Sequence, residues 1–130
     1  MTINSRRKGA QGEREWAQWL RDNLGIEARR GQQFAGGPGS PDVIGLEGTH
    51  AEVKRVEKLN ITNAMAQAGR DSGDNLPYVA HRKNGEEWLI TIRARDVVCF
   101  KHILMYNLRI WRTLHSPVVI QEMEAKKNGV

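Results

Sequence analysis

Residues 41–54 read PDVIGLEGTHAEVK, and this stretch decides the architecture. Asp42 to Leu46 and His50 to Val56 are two short runs built on core-type residues. Glu47-Gly48-Thr49 between them is turn chemistry, so the spacing predicts a β-hairpin. A period of two puts Glu52 and Lys54 on one face of the second strand and Ala51 and Val53 on the other. An odd loop length gives paired positions an even sum, which brings Asp42 onto the face of Glu52 and Lys54. Strands of this kind have no structural need of two acids and a base. Two converging carboxylates form a hard oxygen site suited to Mg²⁺, and Lys54 beside them can orient or deprotonate a water and offset charge on a phosphate. The same E-x-K pattern also describes a cross-strand ion pair on a solvated sheet face.

Working outward, Gln11 to Leu24 carries Trp16, Trp19, Leu20 and Leu24 at helical spacing and is stopped by Gly25. Ile26 to Phe34 reads as a strand, and AGGPGSP at 35–41 as a loop. Asn60 or Thr62 caps a helix that runs to about Asp71, with a small face of Ala64, Ala66, Ala68 and Gly69. Leu76 to Arg82 and Glu87 to Arg93 form a second hairpin around Lys83-Asn84-Gly85-Glu86. A last helix begins at Ala94 or Asp96. Its stripe is Val97, Phe100, Leu104, Leu108 and Trp111, while Val98, Met105 and Ile110 fall off that stripe. The expected fold is α/β (α+β mixed), a central mixed β-sheet flanked by helices.

The chain has 130 residues, room for one domain, with 39% hydrophobic and 27% charged residues inside the globular range. Twenty Lys and Arg against fifteen Asp and Glu leave a charge of +5, a surplus that favours a polyanion such as nucleic acid. No apolar run reaches the roughly 18 residues of a membrane span, and no apolar stretch follows the basic start, so neither membrane insertion nor secretion is expected. The single cysteine, Cys99, suits a reducing cytoplasm and reads as a buried small hydrophobe. His50, His81, His102 and His115 show no paired spacing, which points away from a histidine-metal site and leaves oxygen as the metal donor. GGPGS lacks the lysine and hydroxyl of a phosphate-binding P-loop, and Trp16 and Trp19 sit at core spacing rather than as base-stacking platforms. Glu13 lies three and seven residues before Trp16 and Leu20, at the edge of the buried stripe. It is either a site carboxylate with a partner or a first-turn acid complementing the helix dipole.

Pro41-Asp42 and Glu52-Val53-Lys54, separated by the nine residues Val43 through Ala51, resemble the PD-(D/E)XK nuclease signature, here P-D-x9-E-V-K. Gly12-Glu13-Arg14, the approach GGPGSPD and a following helix with Gln67 are similar to the small archaeal and phage Holliday junction resolvases and their VRR-type relatives. The resemblance covers about residues 9 to 104 and implies a restriction-endonuclease-like core. It implies Asp42, Glu52, the main-chain carbonyl of Val53 and Glu13 as metal ligands, Lys54 as the catalytic lysine, and Gln67 as a polar residue near the site. The implied cofactor is Mg²⁺, with Mn²⁺ as a substitute.

The domains expected on this basis are a flexible basic arm at 1–10, a nuclease domain at 11–115 and a C-terminal tail at 116–130 that frays. The expected activity is Mg²⁺-dependent endonucleolytic hydrolysis of DNA, structure-specific and Holliday junction resolvase-like, in DNA recombination. A same-fold nuclease acting on flaps, nicks or ordinary duplex and a non-catalytic DNA-binding module are the alternatives. Arg6, Arg7, Lys8, Arg29, Arg30 and Ser40 are the expected DNA contacts, the basic ones through phosphates. One domain presents one site, and symmetric cleavage of a branched DNA needs two, so a homodimer is expected, with the last helix, near Val97 to Trp111, as a candidate interface. Size and type point to a phage or prophage source acting in a bacterial cytoplasm.

Overall fold

The computed structural model describes residues 3–31 and 40–114, with 125 and 127 in addition; the side chains of 3–6 and 110–114 lie outside that description. Among the described residues the chain is a mixed α/β fold with three α-helices and one five-stranded sheet.

Helix α1 spans Ile3–Leu24 and turns inward Trp16, Ala17 and Leu20, the i, i+1, i+4 pattern of a buried stripe. Gly25 ends it at φ 68°, a conformation that favours glycine, with its amide donating to Arg21 O at 3.2 Å. The helix starts eight residues before the expected Gln11. From Ile3 onward the basic arm is therefore helix rather than a separate flexible segment. Arg6, Arg7, Lys8 and Ala10 are good helix formers, and with no large apolar residue between Ile3 and Trp16 the segment leaves no periodicity to read.

The sheet runs β1 (Arg29–Arg30), β2 (Val43–Ile44), β3 (Thr49–Arg55), β4 (Leu76–Arg82), β5 (Leu89–Thr91) in spatial order. Strands β3 and β4 are parallel over seven pairs, from Thr49↔Leu76 to Arg55↔Arg82, and the other neighbours are antiparallel. A parallel pair needs a crossover, supplied by helix α2, Ile61–Asp71. Asn60 caps it by accepting from the amide of Asn63 at 3.0 Å, as its residue type foretells. The expected strand at 26–34 shrinks to Arg29–Arg30: Ile26 and Ala28 are buried but unladdered, and 32–39 lie outside the described residues.

Two layers of side chains follow. Trp16, Ala17 and Leu20 pack with Val43, Ala51, Val53, Tyr78 and Ala80, joined by Phe100, Ile103 and Leu104, so α1 and helix α3 (Val97–Leu114) cover one face. Trp16 Nε1 donates to Tyr78 Oη at 2.9 Å, which satisfies both polar atoms in that core. Ala64 and Ala68 of α2 pack on Val79 on the other face. The contact of α1 on β3 is close enough that a Cβ at Gly12 would lie 2.7 Å from Cβ of Arg55.

Helix α3 departs from the expected stripe. Val97 is 57% exposed, and the inward line is Phe100, Ile103, Leu104 and the buried Asn107. Asn107 accepts from the amide of Glu47 at 3.0 Å and donates to its carbonyl at 3.1 Å, pinning the helix to the β2–β3 turn as a ladder partner would. Cys99 is exposed, not buried, because it points away from that line. The side chains of Ile110 and Trp111 lie outside the description, as does the tail at 116–130 apart from residues 125 and 127. Among the described residues no helix is long and apolar enough to cross a membrane.

Candidate metal centre

The hairpin between β2 and β3 closes with Val43 opposite Ala51, positions that sum to an even number, so Asp42 is the next position toward Glu52. The ladder ends there because the side chain of Asp42 takes over: Oδ2 accepts from the amide of Val53 at 2.9 Å, and Asp42's own amide donates to Ala51 O at 2.9 Å. In an extended strand a residue's N–H and C=O face the same neighbouring strand. The carbonyl of Val53 is thus directed to the side where Asp42 sits.

Alternation along β3 sends Val53 and Ala51 into the core under α1 and sends Glu52 to the face of α2. Glu52 is only 6% exposed, and Lys54 Nζ lies 3.2 Å from its Oε1. That burial rules out a solvated ion pair as the reason for the E-x-K pattern. Desolvation would make such a carboxylate costly unless a cation served it. Gln67 of α2 is half-buried and lines a groove of about 510 Å³ together with Lys54 and Arg70.

Glu13 approaches from α1. Its Oε2 accepts from Arg30 Nε at 2.9 Å, so the acid at the edge of the stripe does have a partner, and the charge of Arg30 is spent on it. Arg29 and Arg7 are exposed, Ser40 is half-buried next to Pro41, and Lys8 Nζ lies 3.8 Å from Glu57. The side chain of Arg6 lies outside the description.

The electrostatics are those of acids held together. Burial is the main reason the carboxyl of Asp42 is pushed up to about 6; Glu13 adds to it, while the Val53 hydrogen bond, Lys54 and Arg30 oppose it. Burial and then the charge of Asp42 hold Glu52 above its ordinary value, against Lys54. A divalent cation would relieve both groups, and two carboxylates with a main-chain carbonyl are donors that Mg²⁺ accepts.

Sequence reasoning missed His50 and Asp71. His50 is 2% exposed on the same face of β3 as Glu52, and Asp71 ends α2 beside it. The signal for His50 lay in the alternation that marks Glu52, two residues on. It missed as well that Glu15 accepts from both Arg55 (3.0 Å) and Arg82 (2.9 Å), which ties α1 to the paired ends of β3 and β4.

No protein-family model, curated protein or solved structure matches this chain.

Proposed function

We propose that the chain is a Mg²⁺-dependent endodeoxyribonuclease with a restriction-endonuclease-like core, acting on branched DNA in the manner of a Holliday junction resolvase. The observation that carries the reading is the convergence of Asp42, Glu52 and Lys54 at the open end of the β2–β3 hairpin, with Glu52 buried and Lys54 3.2 Å from it. Asp42, Glu52 and the Val53 carbonyl would hold the ion, with Glu13 completing the acidic set; Mn²⁺ would substitute. The ion would polarise the scissile phosphate. Lys54 carries the positive charge on the reacting face and can hold or move a proton on the attacking water. Gln67 and Arg70 border the groove beside Lys54 and supply polar contacts for the DNA backbone.

The net charge of +5 favours DNA as the partner. A homodimer would supply the second site that symmetric cleavage needs, and Val97, Val98, Met105 and Tyr106, each more than half exposed on α3, are the surface it would cover. The test is a labelled four-way junction, a flap and a linear duplex incubated with the protein in Mg²⁺. Paired symmetric cuts in the junction support the resolvase-like reading. Preferential cutting of the flap or duplex would replace that substrate class, and no cutting of any of them would overturn the nuclease reading.

A further inference from the structure

Beside the oxygen-lined centre lies a donor set of a different chemistry. One ring nitrogen of His50 and one carboxylate oxygen each from Glu52 and Asp71 lie within 4.8 Å of one another. Independently, Nε2 of His50 is a buried polar atom with no hydrogen-bond partner, the one such side-chain atom among the described residues. A buried orphan nitrogen is costly, and once unprotonated it is the atom through which imidazole binds a metal. The place suits a cation on two further counts. Asp71 is the last residue of α2, where the helix dipole is negative. The two carboxylates bring two negative charges against the ring and the Lys54 ammonium, which lies 3.2 Å from Glu52 Oε1.

We infer that His50, Glu52 and Asp71 form a second site, for a transition-metal ion of the Zn²⁺, Co²⁺ or Cu²⁺ class. Imidazole selects such ions over Mg²⁺ and Ca²⁺, which the all-oxygen set of Asp42 and Glu52 suits. Three donors around one ion at about 2.1 Å stand roughly 3.5 Å apart, so the cluster has to contract by at most about 1.3 Å, within reach of side-chain rotation. Three protein ligands leave a coordination position open. Because Glu52 belongs to both sets, a transition metal held by His50 and Asp71 competes with the oxygen-lined centre for that carboxylate. Only this competition rests on the nuclease reading; the site itself does not involve Asp42.

The experiment is equilibrium binding of Zn²⁺ and of Mg²⁺ to the chelator-stripped full chain, as wild type and as His50→Asn, Asp71→Ala and Asp42→Asn. Zn²⁺ should bind the wild type at least tenfold more tightly than Mg²⁺. His50→Asn and Asp71→Ala should each weaken Zn²⁺ at least tenfold while leaving Mg²⁺ within about threefold, and Asp42→Asn should do the reverse. Should His50→Asn fail to fold, Asp71→Ala at the half-buried helix end and electron spin-echo spectra of the Cu²⁺-loaded wild type decide. Nitrogen modulation that Asp71→Ala abolishes supports the site. Its absence, or Zn²⁺ affinity indifferent to Asp71, overturns it. The two readings fail separately: a chain that cuts no DNA yet keeps this Zn²⁺ pattern loses the nuclease assignment alone. One that cuts in Mg²⁺ and binds Zn²⁺ without regard to His50 and Asp71 loses the second site alone.

Discussion

Oδ2 of Asp42 accepts from the amide of Val53 at 2.9 Å, across eleven positions of sequence, where a backbone carbonyl would otherwise continue the β2–β3 ladder. The bond fixes the carboxylate against the strand that carries Glu52 and Lys54. An asparagine can accept the same bond through its own oxygen, so Asp42→Asn should fold. It should nevertheless lose at least tenfold in Mg²⁺ affinity by calorimetry, as should Glu52→Gln, since each removes a ligand charge. Lys54→Ala should keep the metal. Unchanged affinity in both carboxylate variants would refute the assignment of the ligands.

Asp42 also makes stability depend on pH in a stated direction. Its carboxyl titrates at about 6 in the folded chain against an ordinary 3.8, so between those values the folded state binds more protons than the unfolded one. Stability without metal therefore rises as pH falls through 6, by about 1 kcal/mol between pH 7 and pH 5 from this group. Asp42→Asn lacks that increment, which urea midpoints of the two proteins at the two pH values would reveal. Saturating Mg²⁺ should abolish it in the wild type, because the ion favours the ionised carboxylate. Identical pH profiles would contradict the account.

Arg30 and Arg29 are neighbours with different duties. Arg30 is bound to Glu13 at 2.9 Å, whereas Arg29 is exposed. In DNA binding measured against salt, Arg29→Gln should lower the slope of log K on log salt by about 1, and Arg30→Gln should leave it near the wild-type value. Equal losses would mean that Arg30 leaves Glu13 to meet phosphate.

The exposed residues of α3 bear on assembly. Met105 is 52% exposed, in a helix that also shows Val97, Val98 and Tyr106 to solvent. Sedimentation at micromolar concentration should give about twice the chain mass of 14.7 kDa, and Met105→Glu should return it to one, since a buried unpaired carboxylate is costly. A wild-type mass of one chain would remove the dimer.

The period-two and turn signals in 41–54 were enough to read the hairpin, its register and the shared face of Glu52 and Lys54, because alternation and loop parity are local rules. The β4 boundaries, Leu76 and Arg82, were legible for the same reason, and the cap was narrowed to Asn60 or Thr62, of which Asn60 serves. What stayed hidden depends on contacts distant in sequence. Nothing near Asn107 says that it will bind the turn at Glu47, so hydropathy alone set the stripe of α3 and misplaced Val97 and Cys99. Nothing near His50 says that α2 will end with Asp71 against it, and a search for paired histidines passes over a site made of one histidine and two acids.

The most direct measurement is the rate at which the purified chain cuts a labelled branched DNA in Mg²⁺, in Mn²⁺, in Ca²⁺ and in EDTA, for the wild type, Asp42→Asn and Lys54→Ala. Cutting should occur in Mg²⁺ and Mn²⁺. In Ca²⁺, which prefers a larger and looser shell, the DNA should be bound but left whole. Cutting should vanish in EDTA and in Asp42→Asn and fall roughly 100-fold or more in Lys54→Ala. Cleavage that persists in EDTA, or that both variants retain at the wild-type rate, would contradict a metal-dependent site built from these residues.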